Sequence, residues 1–241
     1  MIYATEFIRE DGNTANTYDT WGMLQIGPAI ISPPKVQTKF IEVTGRDGSL
    51  DYTTALDGNV HFNSREFSTT LRCVAKRSEL PAIYSKVLNF LHGRKLKAIC
   101  GDDQNYYWEG RFEAKEPKWK KGYWEIEVEG TVDPYKYSRA TTMGDWLWDP
   151  FVFETDIAWD YADMTVEEDT PLEVIVVTTS MPTTPIFRLS AAMKMTVNGE
   201  MEYNLPKGDS TIPSMVLTDT DTTFKFEGVG TVTIGFRGGS L

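Results

Sequence analysis

Two histidines, two cysteines and a scatter of carboxylates are the groups in this chain whose types could do chemistry, and their spacing decides which chemistry is open. A nucleophilic triad needs Ser or Cys within reach of His. Only His61 and His92 exist, and His92 falls at the end of an expected helix, where a partial positive charge suits the dipole. His61, in Asn59-Val60-His61-Phe62-Asn63, has no His or Cys at metal-ligand spacing and reads as a strand-surface residue. Cys73 and Cys100 stand far apart in strand-like apolar contexts, so both read as reduced core thiols rather than a redox pair or a disulfide. For glycoside hydrolysis the candidates are Asp102, Asp103, Glu109 and the row Glu125, Glu127, Glu129. A Gly-Asp-Asp turn and a solvated strand face account for them more simply. Asp219-Thr220-Asp221 lacks the glycine and distal glutamate of a calcium loop. No glycine-rich phosphate loop occurs. The expectation is a protein that is not an enzyme, with no metal and no cofactor.

The elements that would position these groups are strands. Ile41 and Val43 alternate with Glu42 and Thr44, and Leu50 and Tyr52 with Asp51 and Thr53, around Asp47-Gly48, a hairpin signal. Further strands are expected at 18–26, 36–44, 60–74, 95–100, 106–113 and 122–132. In the 60–74 run Val60, Phe62, Phe67, Leu71 and Cys73 are the candidates for burial. Trp124, Ile126 and Val128 alternate with the three glutamates, which assigns opposite faces. One helix is expected, Glu79 to His92, with Leu80, Ile83, Tyr84, Val87, Leu88 and Leu91 on one face. Ser78 is its expected N-cap, Pro81 suits the first turn and Gly93 the left-handed stop.

Composition suggests a division. Residues 1–139 hold 19 Lys+Arg and 19 Asp+Glu, whereas residues 140–241 hold 5 and 16, so the whole net charge of −11 sits in the second part. That balance disfavours nucleic acid and anionic membrane surfaces as partners. No apolar run reaches the roughly 18 residues of a membrane span and no leader pattern opens the chain, so synthesis in a cytosol is expected. Residues 140–170 read as an acidic connector bearing Trp146, Trp148 and Trp159. From Pro171 short alternating runs at 172–178, 186–197, 201–205, 214–218, 223–227 and 231–237, separated by turn signals, predict a β-sandwich. The fold class is therefore mainly β with a minor helical part: a β-rich domain over 1–139, a connector over 140–170 and a sandwich over 171–241. The three tryptophans could stack a sugar, as in a carbohydrate-binding module or cell-wall adhesin; packing at a domain junction is the simpler reading.

Four ordered segments resemble the distal tail proteins of long-tailed bacteriophages and prophages of Gram-positive hosts. They are Ser32-Pro33-Pro34-Lys35 leading into Val43-Thr-Gly-Arg-Asp-Gly-Ser-Leu-Asp51; Asn63-Ser-Arg-Glu-Phe67; Leu91-His-Gly-Arg-Lys95 followed by Asp102-Asp-Gln-Asn-Tyr-Tyr-Trp-Glu-Gly-Arg111; and Asp133-Pro-Tyr-Lys-Tyr137. The closing Gly235-Phe-Arg-Gly-Gly-Ser-Leu241 is similar to the end of that family too. The resemblance implies a β-rich N-terminal domain with one helix assembling as a homo-hexamer ring at the virion tail tip, and an outward galectin-like or carbohydrate-module-like β-sandwich. The implied partners are the tail tube protein, the tail-associated spike or fibre protein and, in some phages, a receptor-binding protein. Arg46 with Asp47, Arg65 and Arg111 lie near expected turns, where a planar guanidinium could bridge subunits or fix local carboxylates; ordinary surface arginines are the equal alternative.

Overall fold

Period-two alternation builds all but one of the regular elements among the described residues. The structure, a computed structural model, describes residues 3–56, 58–139 and 161–241. The chain divides into two units, Met1–Lys136 and Tyr137–Leu241.

The first unit contains β1 (Thr5–Arg9), β2 (Thr14–Asn16), β3 (Leu24–Gln25), β4 (Ile30–Ile31), β5 (Phe40–Glu42), β6 (Ser49–Asp51), β7 (Arg65–Cys73), α1 (Leu80–Leu91), β8 (Arg94–Cys100), β9 (Tyr106–Ala114), β10 (Lys118–Lys120) and β11 (Tyr123–Val132). One antiparallel sheet runs β2-β1-β8-β9-β11-β7-β3, with β4 also on β7 and β10 on β11. Its core face collects Phe7, Phe67, Leu71, Phe112, Ile126 and Val128, all buried. The Phe7 ring centroid lies 5.3 Å from that of Phe112 and 6.5 Å from that of Phe67. On β11 the apolar set and the glutamates do take opposite faces, as the alternation predicts. Buried polar bonds tie β1 to β3. The Thr5 hydroxyl donates to Gln25 Oε1 at 2.9 Å, the Gln25 amide donates to the Gly27 carbonyl at 3.1 Å, and the Thr5 N–H donates to Thr17 Oγ1 at 3.1 Å. Between β9 and β11 the backbones press together at two glycines. A Cβ on Gly110 would stand 2.2 Å from the Thr131 carbonyl oxygen, and one on Gly130 2.5 Å from the Phe112 ring.

The helix packs Val87 and Leu91 fully into this core, and Gly93 takes φ +71° after its last turn. His92 holds the C-cap position and is exposed; its Nδ1 accepts the Ala114 N–H at 3.3 Å. Ser78 is not the N-cap. The chain enters through a turn over residues 76–79, so Glu79 holds that position and its carboxylate reaches back to the Lys76 N–H at 3.1 Å.

After β12 (Lys136–Ser138) come β13 (Met164–Val166), β14 (Leu172–Val176), β15 (Ile186–Leu189), β16 (Met193–Val197), β17 (Met201–Leu205), β18 (Gly208–Thr211), β19 (Thr222–Glu227), β20 (Gly230–Gly235) and β21 (Gly239–Ser240). The second unit is a two-sheet sandwich, β13-β20-β15-β18 against β14-β19-β16-β17. Phe187, Phe224, Phe226, Met195, Val232 and Ile234 fill its middle. Tyr161 and Met164 pack on this core and Val166 lies inside it, so part of the 140–170 segment belongs to the sandwich. The Tyr161 hydroxyl bonds the Ile175 carbonyl and the Val177 N–H at 3.4 Å each. The expected strand at 214–218 is reduced to one bridge, Thr183 to Leu217, and the Lys207-Gly208-Asp209 turn starts a strand instead.

Candidate assembly interface

All but Asp102 of the carboxylates that could have served hydrolysis are paired with cations. Glu109 meets Lys95 at 2.5 Å, Glu125 meets Lys120 at 3.4 Å, Glu127 meets Lys118 at 3.8 Å, Glu129 meets Lys115 at 2.9 Å and Asp103 meets Lys136 at 2.7 Å. Glu127 and Glu129 border an open groove of roughly 890 Å³, lined also by Glu66, Arg111, Glu113 and Ile30. Lys115 bridges Glu113 and Glu129 there, which raises its own pKa and holds Glu113 below its ordinary value. A row of ion-paired glutamates is a solvated strand face, not an acid and base pair. No group of three metal-ligating side chains exists among the described residues. Cys73 and Cys100 are free and buried, and burial pushes the Cys100 thiol from 9.0 up to about 12, which makes it unreactive.

Beside this groove the first unit offers an arm. None of the described residues from 33 to 64 is buried, and none packs on either core. The arm's far end is the two-stranded ribbon β5–β6, paired Phe40 to Asp51, Ile41 to Leu50 and Glu42 to Ser49. The hairpin predicted around Asp47-Gly48 exists, but its loop is longer, residues 43–48, because both Gly45 and Gly48 take positive φ and the Arg46 N–H closes onto the Val43 carbonyl. Leu56 is 95% exposed and Phe40 60%, and Val36, Ile41, Val43, Tyr52 and Val60 are exposed as well. Val60, a core candidate by sequence, lies outside the core; of the candidates in its run, Phe67, Leu71 and Cys73 are buried. A lone ribbon of two strands is marginal in water, and this concentration of apolar surface is the mark of an interaction site.

The arm's legs are nonetheless zipped. The Gln37 N–H bonds the His61 carbonyl and the Asn63 N–H the Lys35 carbonyl, each at 2.8 Å, and the Gln37 side chain donates to the Phe62 carbonyl at 3.0 Å. At the root the Ser32 N–H donates to the Glu66 carbonyl, the Glu66 N–H donates to the Ser32 hydroxyl oxygen, and the Phe62 ring meets Tyr135 edge-on at 6.0 Å. Arg65 fixes this root. Its Nε donates to the Ser32 carbonyl at 2.5 Å, its Nη1 to the Pro134 carbonyl at 3.4 Å, and its guanidinium stacks 4.6 Å from the Trp108 ring centroid. Burial lowers its pKa, with ample room to stay charged.

Of the four residues proposed from sequence for subunit contacts, Arg46 and Asp47 sit exposed in the arm's end loop. Arg65 and Arg111 are engaged within the unit, Arg111 through Nη1 on the Gly93 carbonyl at 2.5 Å. Trp146, Trp148 and Trp159 lie outside the described residues. The apolar residues of the arm were missed by sequence reasoning. Their signal was present in the adjacent pair Phe40-Ile41, which puts apolar side chains on both faces of a ribbon where one core can bury only one.

No family model matches the chain, and no curated protein matches it in sequence. In fold it is similar, over 100% of its own length and 100% of its counterpart's, to a hub protein of the adsorption apparatus of phages that infect Gram-positive bacteria. That counterpart is SPP1 Dit (gp 19.1), described with its crystal structure as a paradigm of such hubs; the TM-score is 0.59 and the identity 14%. At that identity it is the β-rich fold that is shared.

Proposed function

We propose that this protein is a structural component of a phage tail tip, six copies of which close into a hub ring between the tail tube and the tail-associated spike or fibre protein, and in some phages a receptor-binding protein. The observation behind this reading is the arm: a pre-ordered ribbon with apolar residues on both faces and no core of its own. A closed ring requires heterologous contacts, in which each subunit presents one surface to one neighbour and a different surface to the other. An arm laid on the next copy supplies one such surface. Because its legs are already bonded, docking costs less conformational entropy than ordering a loop would. The even charge of residues 1–139 suits close packing of six copies, while the −11 of residues 140–241 keeps outer parts apart. Full-length likeness to SPP1 Dit supports the tail-tip setting. The alternative, a carbohydrate-binding module, gains nothing from the second unit: among its described residues no Phe, Tyr or Trp is exposed.

Size-exclusion chromatography with light scattering, followed by negative-stain imaging of the peak, tests the ring. The expected species is about 164 kDa, six times 27.3 kDa, with a central hole. Monomer at every concentration, unchanged by Phe40→Ser, would overturn the arm's role.

A further inference from the structure

Trp119 is the only exposed tryptophan among the described residues, at 58%. It lies on β10, across from Trp124 on β11, with the ring centroids 4.9 Å apart. Trp124 is itself held: it packs on the core, and its Nε1 donates to the Ala75 carbonyl at 3.2 Å. The exposed indole therefore stands on a fixed support. It fills no gap in the core, because Trp124 already does so.

Charge around this indole departs from that of the chain. Lys118 and Lys120 alternate to the opposite face of the hairpin, where they meet Glu127 and Glu125. Lys121 at the turn, and Lys76 and Arg77 next to the Ala75 that anchors Trp124, form no ion pair among the described residues. The Glu79 carboxylate nearby is used by the Lys76 N–H. Three cations without an ion pair among the described residues thus stand in the segments next to this indole and its support, with Glu79 the carboxylate beside two of them, on a protein whose net charge is −11.

We propose that the Trp119 corner is a docking site for an acidic protein surface, one that offers an apolar seat for the indole ringed by carboxylates. Tryptophan and arginine are the residues that most often dominate binding energy, and the flanking cations select a partner of opposite sign. Nucleic acid is the poorer fit, since binding a polyphosphate rests on neutralising many phosphates and only three such cations stand here, on a chain of net charge −11. The site lies apart in sequence from the arm and does not rest on the ring reading.

The test uses the full chain labelled with 5-fluorotryptophan, the Trp119 resonance being assigned by Trp119→Phe. The probes are a synthetic peptide of repeating Glu-Glu-Leu, its Lys-Lys-Leu counterpart and an oligo-dT strand. The acidic peptide is expected to shift the Trp119 resonance saturably and with salt sensitivity. Combined Lys76→Glu, Arg77→Glu and Lys121→Glu should weaken it about tenfold or more, while Phe40→Ser leaves it unchanged. No saturable shift, or a larger one with oligo-dT, overturns the proposal. So does a Trp119 resonance that moves with protein concentration alone, which would assign the corner to a second copy of this chain.

Discussion

The arm and the sandwich treat the same kind of residue in opposite ways. In the sandwich Phe224 sits between β14 and β16, its ring centroid 5.3 Å from that of Phe187, with no solvent exposure. In the arm Phe40 occupies an equally regular strand position and is mostly in water. Strand propensity explains both backbones and neither side chain. The difference lies in closure: the sandwich has a second sheet to bury the apolar face of the first, whereas β5–β6 has none among the described residues. The same strand chemistry thus ends buried where a facing sheet exists and solvent-exposed where the described residues supply none.

The comparison is broken most severely by truncating each phenylalanine in turn. Phe224→Ala should cost about 3–5 kcal/mol in a denaturant titration, the loss expected where a buried ring leaves a cavity. The first unit should prove as well sealed, and Cys100 reports on that. Its folded pKa of about 12 stands above the ordinary 9.0, chiefly through burial. The thiol is neutral in both states below pH 9, so its contribution is complete there; between 9 and about 12 only the unfolded chain ionises, and stability falls. The expected difference in slope between wild type and Cys100→Ala approaches about 1.4 kcal/mol per pH unit in that window, read from unfolding midpoints across the range; parallel curves would mean that water reaches the thiol. A smaller gain sharpens the same contrast. Thr69 Oγ1 is buried on β7 without a hydrogen-bond partner among the described residues, so Thr69→Val should stabilise the protein by about 1 kcal/mol, seen as a higher melting temperature. Phe40→Ser comes last: below about 0.5 kcal/mol on the stability of the unassembled chain, as for other surface changes, yet with loss of the proposed six-copy assembly in light scattering. A large stability loss from Phe40→Ser would place that ring in a contact within the chain.

Much of the framework was legible because its residues state their faces. Ile126 and Val128 against Glu125, Glu127 and Glu129 could be only one kind of strand, and Leu80 to Leu91 only one kind of helix. Where tertiary contacts decide, the sequence was silent. Lys118-Trp119-Lys120 is too short and too charged to read as a strand, and forms one because β11 is beside it. Gly208–Thr211 reads as a turn, yet pairs along β15. Nothing local says that Val60 stays in water while Phe67, in the same run, is buried; that depends on the chain leaving the sheet at Ser32 and returning at Arg65. The roles of Arg65 and Arg111 were unreadable for the same reason, since their acceptors are backbone carbonyls far away in sequence.

The bonded legs of the arm have a consequence for proteolysis. Arg46 is the natural tryptic site, exposed in a loop at the far end. A cut there would leave two new chain ends, each still held through the ribbon, the Gln37 and Asn63 bonds and the Arg65 clamp. The nicked protein would run as two bands on a denaturing gel while keeping its native hydrodynamic size, so covalent continuity at the arm's end is separable from its shape.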